Sequence, residues 1–268
     1  MVLLTGASAG IGRATATTLA GAGWTVVGAS RRGTAGQGWE GLVMDVDDDG
    51  SVTDGVRRIL QQYGHIDALV TCAGWGLSGA LEHTPLVDAR AQMETNFWGS
   101  VRAVQAVLPG MRGARSGRIV LMSSIGGLIG LPFQTFYSAS KFAIEGLAEA
   151  MAYEVEPFGI KVTLVEPGNV RTEFTDKRRM VPGPEGTPAA AGDAYAGAVS
   201  RAVGVMARDE RNGVLPESVA AVVRKVLEAK RPPRRTSVGK ASERVGLIAK
   251  RVLPFRTFQA AGRSSLGV

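Results

Sequence analysis

Tyr137 and Lys141 stand four residues apart in FYSASKFAIEGLAEAMAYEV (136–155), a stretch with helical patterning, so phenol and ammonium fall on one face about a turn apart. At that spacing the ammonium favours phenolate and is expected to bring the phenol from about 10 toward neutrality, which makes Tyr137 a usable general acid and base. Ser124 ends the apolar stretch GRIVLMSS (117–124). Sheets covered by helices place their sites at strand ends, where a hydroxyl can steady a carbonyl oxygen. Asn96 lies in ETNFWG inside a longer helical pattern, where an Asn side chain can also serve only to bend the helix or bond locally. Alone, Tyr-x-x-x-Lys describes many plain helix surfaces and Ser124 a plain strand end. Their weight comes from the elements around them.

The opening residues MVLLTGASAGIG carry two incompatible chemistries. Gly6 to Gly10 fit the G-x-S-x-G turn that exposes a hydrolase serine, here Ser8, whereas Gly6, Gly10 and Gly12 fit a glycine-rich turn for a dinucleotide. A hydrolase needs several strands before its nucleophile, then an acid and a histidine. Only one strand precedes Ser8, and both histidines, His65 in YGHID and His83 in LEHTP, sit in polar stretches that read as surface. A dinucleotide needs a first strand, a tight turn and a helix whose free N–H groups receive a pyrophosphate. Val2 to Thr5, the glycines and a small-residue helix over 11–22, which begins at Ile11, supply these in order.

The remaining elements alternate. Strands are expected over 24–30, 41–46, 66–74, 117–124 and 159–168, with helices between them, of which SVTDGVRRILQQYG places Val52, Val56, Ile59 and Leu60 on one face. The long helix over 88–111 holds Asn96. This rhythm predicts an α/β fold, a doubly wound parallel sheet in a single domain spanning 1–268. A segment at 174–213, with Pro, Gly and Ala crowded into RMVPGPEGTPAAAGDAYAG, reads as a flap over a site.

Composition narrows the function. The chain has 268 residues, 45% of them hydrophobic, and a single cysteine, Cys72, which rules out an intrachain disulfide; with two histidines besides, no metal site is expected. The first apolar run lasts four residues before Thr5, so no signal peptide is expected and the location is read as cytoplasmic. The net charge of +7 is concentrated in residues 231–268, which hold nine Arg or Lys against Glu243 alone. A basic footprint confined to a tail argues against a nucleic-acid partner.

TGASAGIG followed far downstream by YSASK resembles the short-chain dehydrogenase/reductase family, over about residues 2–175. The resemblance implies a Rossmann-like fold and hydride exchange with a nicotinamide dinucleotide, with Ser124, Tyr137, Lys141 and Asn96 as the catalytic set. It implies that Lys141 also holds the nicotinamide ribose. Cofactor contacts carried over are Gly6, Ser8, Gly10, Ile11 and Gly12 at the turn, Asp45 and Val46 after the third strand, Cys72-Ala73-Gly74 after the fourth, Tyr137 and Lys141, and Pro167, Gly168, Val170 and Thr172 after the sixth. Cys72 replaces the family's usual Asn, and a modest loss of rigidity is expected there.

Cofactor choice turns on the end of the second strand, GASRRG. A carboxylate there would take the ribose hydroxyls of NAD, but no Asp or Glu precedes Glu40, and Ser30, Arg31 and Arg32 suit the extra phosphate of NADP(H). The segment around GGLIGLPFQTFYSASK is similar to the family's steroid- and retinoid-directed branch, which resembles 17-beta-hydroxysteroid and retinol dehydrogenases. That implies a bulky apolar ketone or secondary alcohol, with Trp75, Phe133, Phe174 and Met180 as candidate walls. A 3-oxoacyl or polyketide ketoreductase is the nearest alternative, and a catalytically silent NADP sensor the alternative of another kind. Small and apolar residues on several faces of the 136–156 helix, together with the family's habit, imply a homodimer or homotetramer. Within the tail, Val245, Ile248 and Val252 recur at helical spacing among basic residues up to Pro254. The stretch could lie on an anionic membrane, but it is expected to pack over the cleft or a neighbouring subunit, as an element that the fold itself does not require.

Overall fold

The computed structural model describes residues 1–181 and 193–268. Its elements run β1 Val2–Thr5, α1 Gly10–Gly21, β2 Val26–Ser30, β3 Glu40–Val43, α2 Asp49–Tyr63, β4 Ala68–Thr71 and β5 Leu77–Ser78, then α3 Leu86–Met93, α4 Gly99–Ala114, β6 Gly117–Met122, α5 Thr135–Val155 and β7 Ile160–Pro167. The chain continues through β8 Arg179–Met180, α6 Ala196–Arg211, α7 Pro216–Glu228, β9 Arg235–Val238, α8 Ala241–Val252 and α9 Phe255–Leu266. Seven strands form one parallel sheet in the order β3-β2-β1-β4-β6-β7-β9. From β1 the chain adds β2 and β3 on one side and then β4, β6, β7 and β9 on the other, and the crevice beyond the carboxyl ends of β1 and β4, where that order switches, is where such sheets bind ligands.

The strands read as unbroken apolar runs because both faces are covered. Leu3, Val27, Leu69, Ile119, Leu121 and Leu164 pack against α2, α4 and α5, while Val2, Leu4, Val26, Val70, Val120 and Val165 pack against α1 and α7. Residues that alternate along one strand thus serve two cores.

Two expectations about the tail are corrected. The first is that the fold does not require it: β9 is the seventh strand, in register with β7 from Leu164–Arg235 to Pro167–Val238. RTSV has no apolar run to reveal it, since the strand lies at the sheet edge and three of its four residues are only half-buried. The second concerns one of two alternatives, that the apolar side of the 241–252 helix packs over the cleft or over a neighbouring subunit, and it is the cleft that the structure excludes. That helix forms as expected and stops before Pro254, but Val245, Ile248 and Val252 are 63%, 60% and 71% exposed. Its opposite edge holds it to the body, through Glu243 and Lys250.

The centre of the expected flap, 182–192, lies outside the described residues. Its near side carries β8, paired in parallel with β5, and Arg178, whose guanidinium binds Glu210 of α6. Thr175 donates to the same carboxylate at 2.6 Å. His83 is less of a surface residue than expected: it faces Asp193 at 3.7 Å and meets Tyr195 edge-on, whereas His65 is exposed.

Candidate active site

The turn after β1 is shaped by two close approaches. Gly6 has φ +72°, and a Cβ there would stand 2.5 Å from the backbone nitrogen of Ala73; a Cβ on Gly12 would overlap the carbonyl oxygen of Gly6. Without side chains the turn folds tightly onto Cys72-Ala73-Gly74, and α1 begins at Gly10 with its N–H groups facing the crevice end of the sheet. Ser8 and Ile11 lie half-buried in this turn. The Gly10 N–H donates to the Glu173 carboxylate at 3.2 Å, and Arg13 pairs with the same group at 3.3 Å. A hydrogen bond from its own backbone N–H, more than Arg13, Lys177 and the Gly10 N–H, holds that carboxyl below its ordinary range against partial burial. An anion therefore already sits where sequence reasoning places a pyrophosphate. Glu173 follows Thr172 directly and carries no motif of its own.

At the end of β2, Ser30 is buried and its hydroxyl has no partner, while Arg31 and Arg32 are exposed just beyond it. Asp45 accepts from the Asp47 N–H at 3.1 Å and its own N–H reaches Ser51 at 3.0 Å, which fixes the chain entering α2. Val46 is buried against Gly99. Burial, with Asp45 and Glu94 nearby, raises the Asp47 carboxyl above its ordinary range despite a hydrogen bond from Thr95.

Asn96 lies in a widened helical turn, Glu94–Trp98, that joins α3 to α4. Its amide accepts from the Trp75 N–H at 2.9 Å and donates to the Trp75 carbonyl and to Ser140, each at 3.1 Å. It therefore clamps the backbone after Gly74 to α5, and Gly74 is bare on the side that faces Asn96 and Lys141. The local bending that the sequence allowed is present, and it aims the side chain inward.

Ser124, Tyr137 and Lys141 come together as expected. The Ser124 hydroxyl accepts from the Gly126 N–H at 3.0 Å and donates to the Pro167 carbonyl at 3.4 Å, and the Tyr137 ring lies beside it over Gly126. Lys141 lies 5.9 Å from the centre of the Tyr137 ring and donates to the Met122 carbonyl at 2.9 Å. Gly168 closes against Glu243, Val170 is buried and bridges Val214, and Thr172 sits beside Gly10.

The expected lowering of the phenol is not what this geometry gives. Burial raises the Tyr137 phenol above its ordinary value, the Ser124 hydrogen bond offsetting only part of this. Burial also lowers Lys141 to about 8, so the ammonium that should favour phenolate is itself weakened. Four-residue spacing brings the groups together but says nothing of how far both are withdrawn from water. Burial likewise pushes the Cys72 thiol up to about 12.

Of the candidate walls, Phe174 stands 5.7 Å from Tyr137 between ring centres and presses on Gly76. Trp75 is held by Thr95 at 3.2 Å and covered by the Arg179 guanidinium, Phe133 adopts φ +59°, and Met180 is exposed. Sequence reasoning missed Glu145, buried one turn beyond Lys141, although continuing the four-residue ladder from Tyr137 through Lys141 reaches it.

The family comparison agrees with this architecture. Residues 1–181 match the model of the short chain dehydrogenase family, and the chain belongs to that family of oxidoreductases. It is 42% identical over 264 residues to a 3-ketodihydrosphingosine reductase of Bacteroides thetaiotaomicron, covering 98% of this chain and 96% of that one. A bovine retinol dehydrogenase 8 is 40% identical over 195 residues, 72% of this chain and 61% of its own length. Among solved structures, a short-chain dehydrogenase from Streptomyces avermitilis superposes with a TM-score of 0.79 at 32% identity, covering 98% and 97% of the two chains. ElxO with NADP bound follows at 0.71 and 25%, covering 88% and 96%.

Proposed function

We propose that the protein is an NADP(H)-dependent reductase of bulky apolar ketones, interconverting ketone and secondary alcohol. The observation that carries this reading is the meeting of Ser124, Tyr137 and Lys141 beside the glycine turn, beyond the carboxyl ends of the strands. The cofactor, when bound, supplies the hydride.

The residues fit NADP(H). The Gly6–Gly12 turn and the α1 N-terminus already hold a carboxylate, and a pyrophosphate would take its place. The unpartnered Ser30 hydroxyl, with Arg31 and Arg32, would hold the 2′-phosphate. Asp45 and Val46 would border the adenine. Cys72, Ala73 and Gly74 would line the dinucleotide by their backbone, Lys141 with Tyr137 would hold the nicotinamide ribose, and Pro167, Gly168, Val170 and Thr172 would flank the nicotinamide. In the reaction Ser124 donates to the ketone oxygen, and the Tyr137 phenol, kept protonated by burial, delivers the proton that turns it into a hydroxyl. Asn96 positions the strand-four loop rather than touching the reacting atoms.

A long-chain 3-keto amine of the sphingoid type is the specific substrate we assign, supported by the Bacteroides relative that aligns along nearly the whole chain. A reducing cytoplasm suits the lone thiol, Cys72. Pairing of two chains through α4 and α5 is part of the same reading, since Trp98, Phe142 and Tyr153 lie exposed there.

The test follows NADPH absorbance with 3-ketodihydrosphingosine, a steroid ketone, retinal and a 3-oxoacyl thioester. Turnover of the sphingoid ketone, with NADPH preferred over NADH and the preference narrowed in Arg31→Asp, is expected. Tight NADPH binding without turnover of any of them would identify a sensor instead. Equal efficiency with NADH would remove the cofactor assignment.

A further inference from the structure

Helix α8 is amphipathic, but it is mounted with its hydrophilic edge inward. Glu243 and Lys250, seven residues apart and so on one edge, make the contacts with the body. The Glu243 carboxylate accepts from the Asn169 N–H at 2.8 Å and from its own helix start at Lys240 at 2.7 Å. Lys250 binds the Leu128 carbonyl and lies 5.1 Å from the centre of the Phe142 ring. The helix is therefore tied down beside Gly168 and the turn after Ser124, at the rim of the site.

The outward edge is the apolar one. Val245, Ile248 and Val252 follow one another at spacings of three and four, and Phe255, 70% exposed, extends the ridge past Pro254. Arg244, Arg251 and Arg256 are exposed alongside. From residue 240 onward the sequence holds six Lys or Arg and one acid, Glu243, whose oxygens are already committed to backbone N–H groups. Water does not favour such an edge, and something must cover it.

We propose that this edge docks on an anionic lipid membrane. The charge selects the occupant. A second copy related by a two-fold axis would set the same cationic face against itself, whereas an anionic bilayer attracts the arginines and receives the aliphatic ridge between its headgroups. The helix lies in the interface plane, and no helix among the described residues is long and apolar enough to cross a membrane. Seated this way, the rim of the site faces the lipid.

The experiment is sedimentation of the full chain with vesicles of phosphatidylcholine alone or mixed with phosphatidylglycerol, at low and high salt. Binding to the mixed vesicles, weakened by salt, is expected. The ridge variant V245S/I248S/V252S should lose about tenfold or more in partitioning. R244Q/R251Q/R256Q should lose about fivefold for each charge, together with its salt dependence. Ile248→Ser alone gives the same result at smaller amplitude if the triple variant folds poorly. These residues lie outside the reaction site, so turnover of a water-soluble ketone should be unchanged. A chain that stays in the supernatant overturns the proposal, as does vesicle binding indifferent to the ridge. So does a dimer that the ridge variant converts to monomer in light scattering, which would assign the edge to a second copy. Retention on duplex DNA while vesicles are ignored would assign the charge to nucleic acid.

Discussion

Helix α5 carries two buried polar groupings one turn apart. Around Tyr137 and Lys141 the ammonium has no carboxylate within salt-bridge distance among the described residues, and a backbone carbonyl is what it holds. Around Glu145 the charges are closed on one another. Arg235 lies 2.9 Å from Glu145 and 3.6 Å from Glu166, and also pairs with Glu149. The second oxygen of Glu166 accepts from Ser237 at 2.6 Å. The open grouping is costly as it stands and ready to bind; the closed one ties β9 to α5 and β7. A buried charge without its partner marks a place where a ligand completes the structure, and a bracketed one marks a joint.

The largest effect expected of this contrast is on catalysis. Tyr137→Phe should lower kcat/KM by about a thousandfold, roughly 4 kcal/mol of transition-state stabilisation, while NADPH fluorescence titration shows binding retained. Activity within tenfold of the parent would mean that the open grouping is no reaction site. Next comes Arg235→Met, which leaves Glu145 and Glu166 buried without their counter-charge and should cost about 3–5 kcal/mol in urea unfolding. Adding Glu145→Gln should recover part of that loss, and an additive double variant would break the joint interpretation.

The smallest effects are in the pH dependence of the cofactor-free protein. Lys141 falls from 10.5 to about 8 on folding, so between those values the unfolded chain binds more protons, and stability should rise as pH climbs through that window. Glu145 is raised from 4.5 to about 7, so the folded chain holds the extra proton there and stability should fall as pH climbs from 4.5 to 7. Urea midpoints across pH should lose the alkaline rise in Lys141→Met and the acid slope in Glu145→Gln. If either slope survives its substitution, the shift belongs to another group.

Much of this was legible in the sequence because it rests on local pattern. β1, β4, β6 and β7 announce themselves as apolar runs, and the order of glycine turn, Ser124 and Tyr137-Lys141 points to the candidate site. What escaped depends on contacts between distant segments. β9 owes its place to pairing with β7 and to carboxylates on α5, none of which RTSV displays. Glu173 reaches Gly10 across 163 positions. Spacing gives the proximity of the phenol and the ammonium, while the burial that raises the one and lowers the other comes from segments distant in the chain, Phe174 among them.

The position of β1 has a consequence for how the chain is made. It precedes the other strands of the sheet in chain order yet lies inside it, third of seven, and α1, which follows it, is covered by α7 about 200 residues later. Until that helix is synthesised, Ala16 and Leu19 on α1 and the face of the sheet beneath have nothing to bury them from the other side. Closing this face must wait for α7, and a nascent or truncated chain that stops before Pro216 presents an open apolar face.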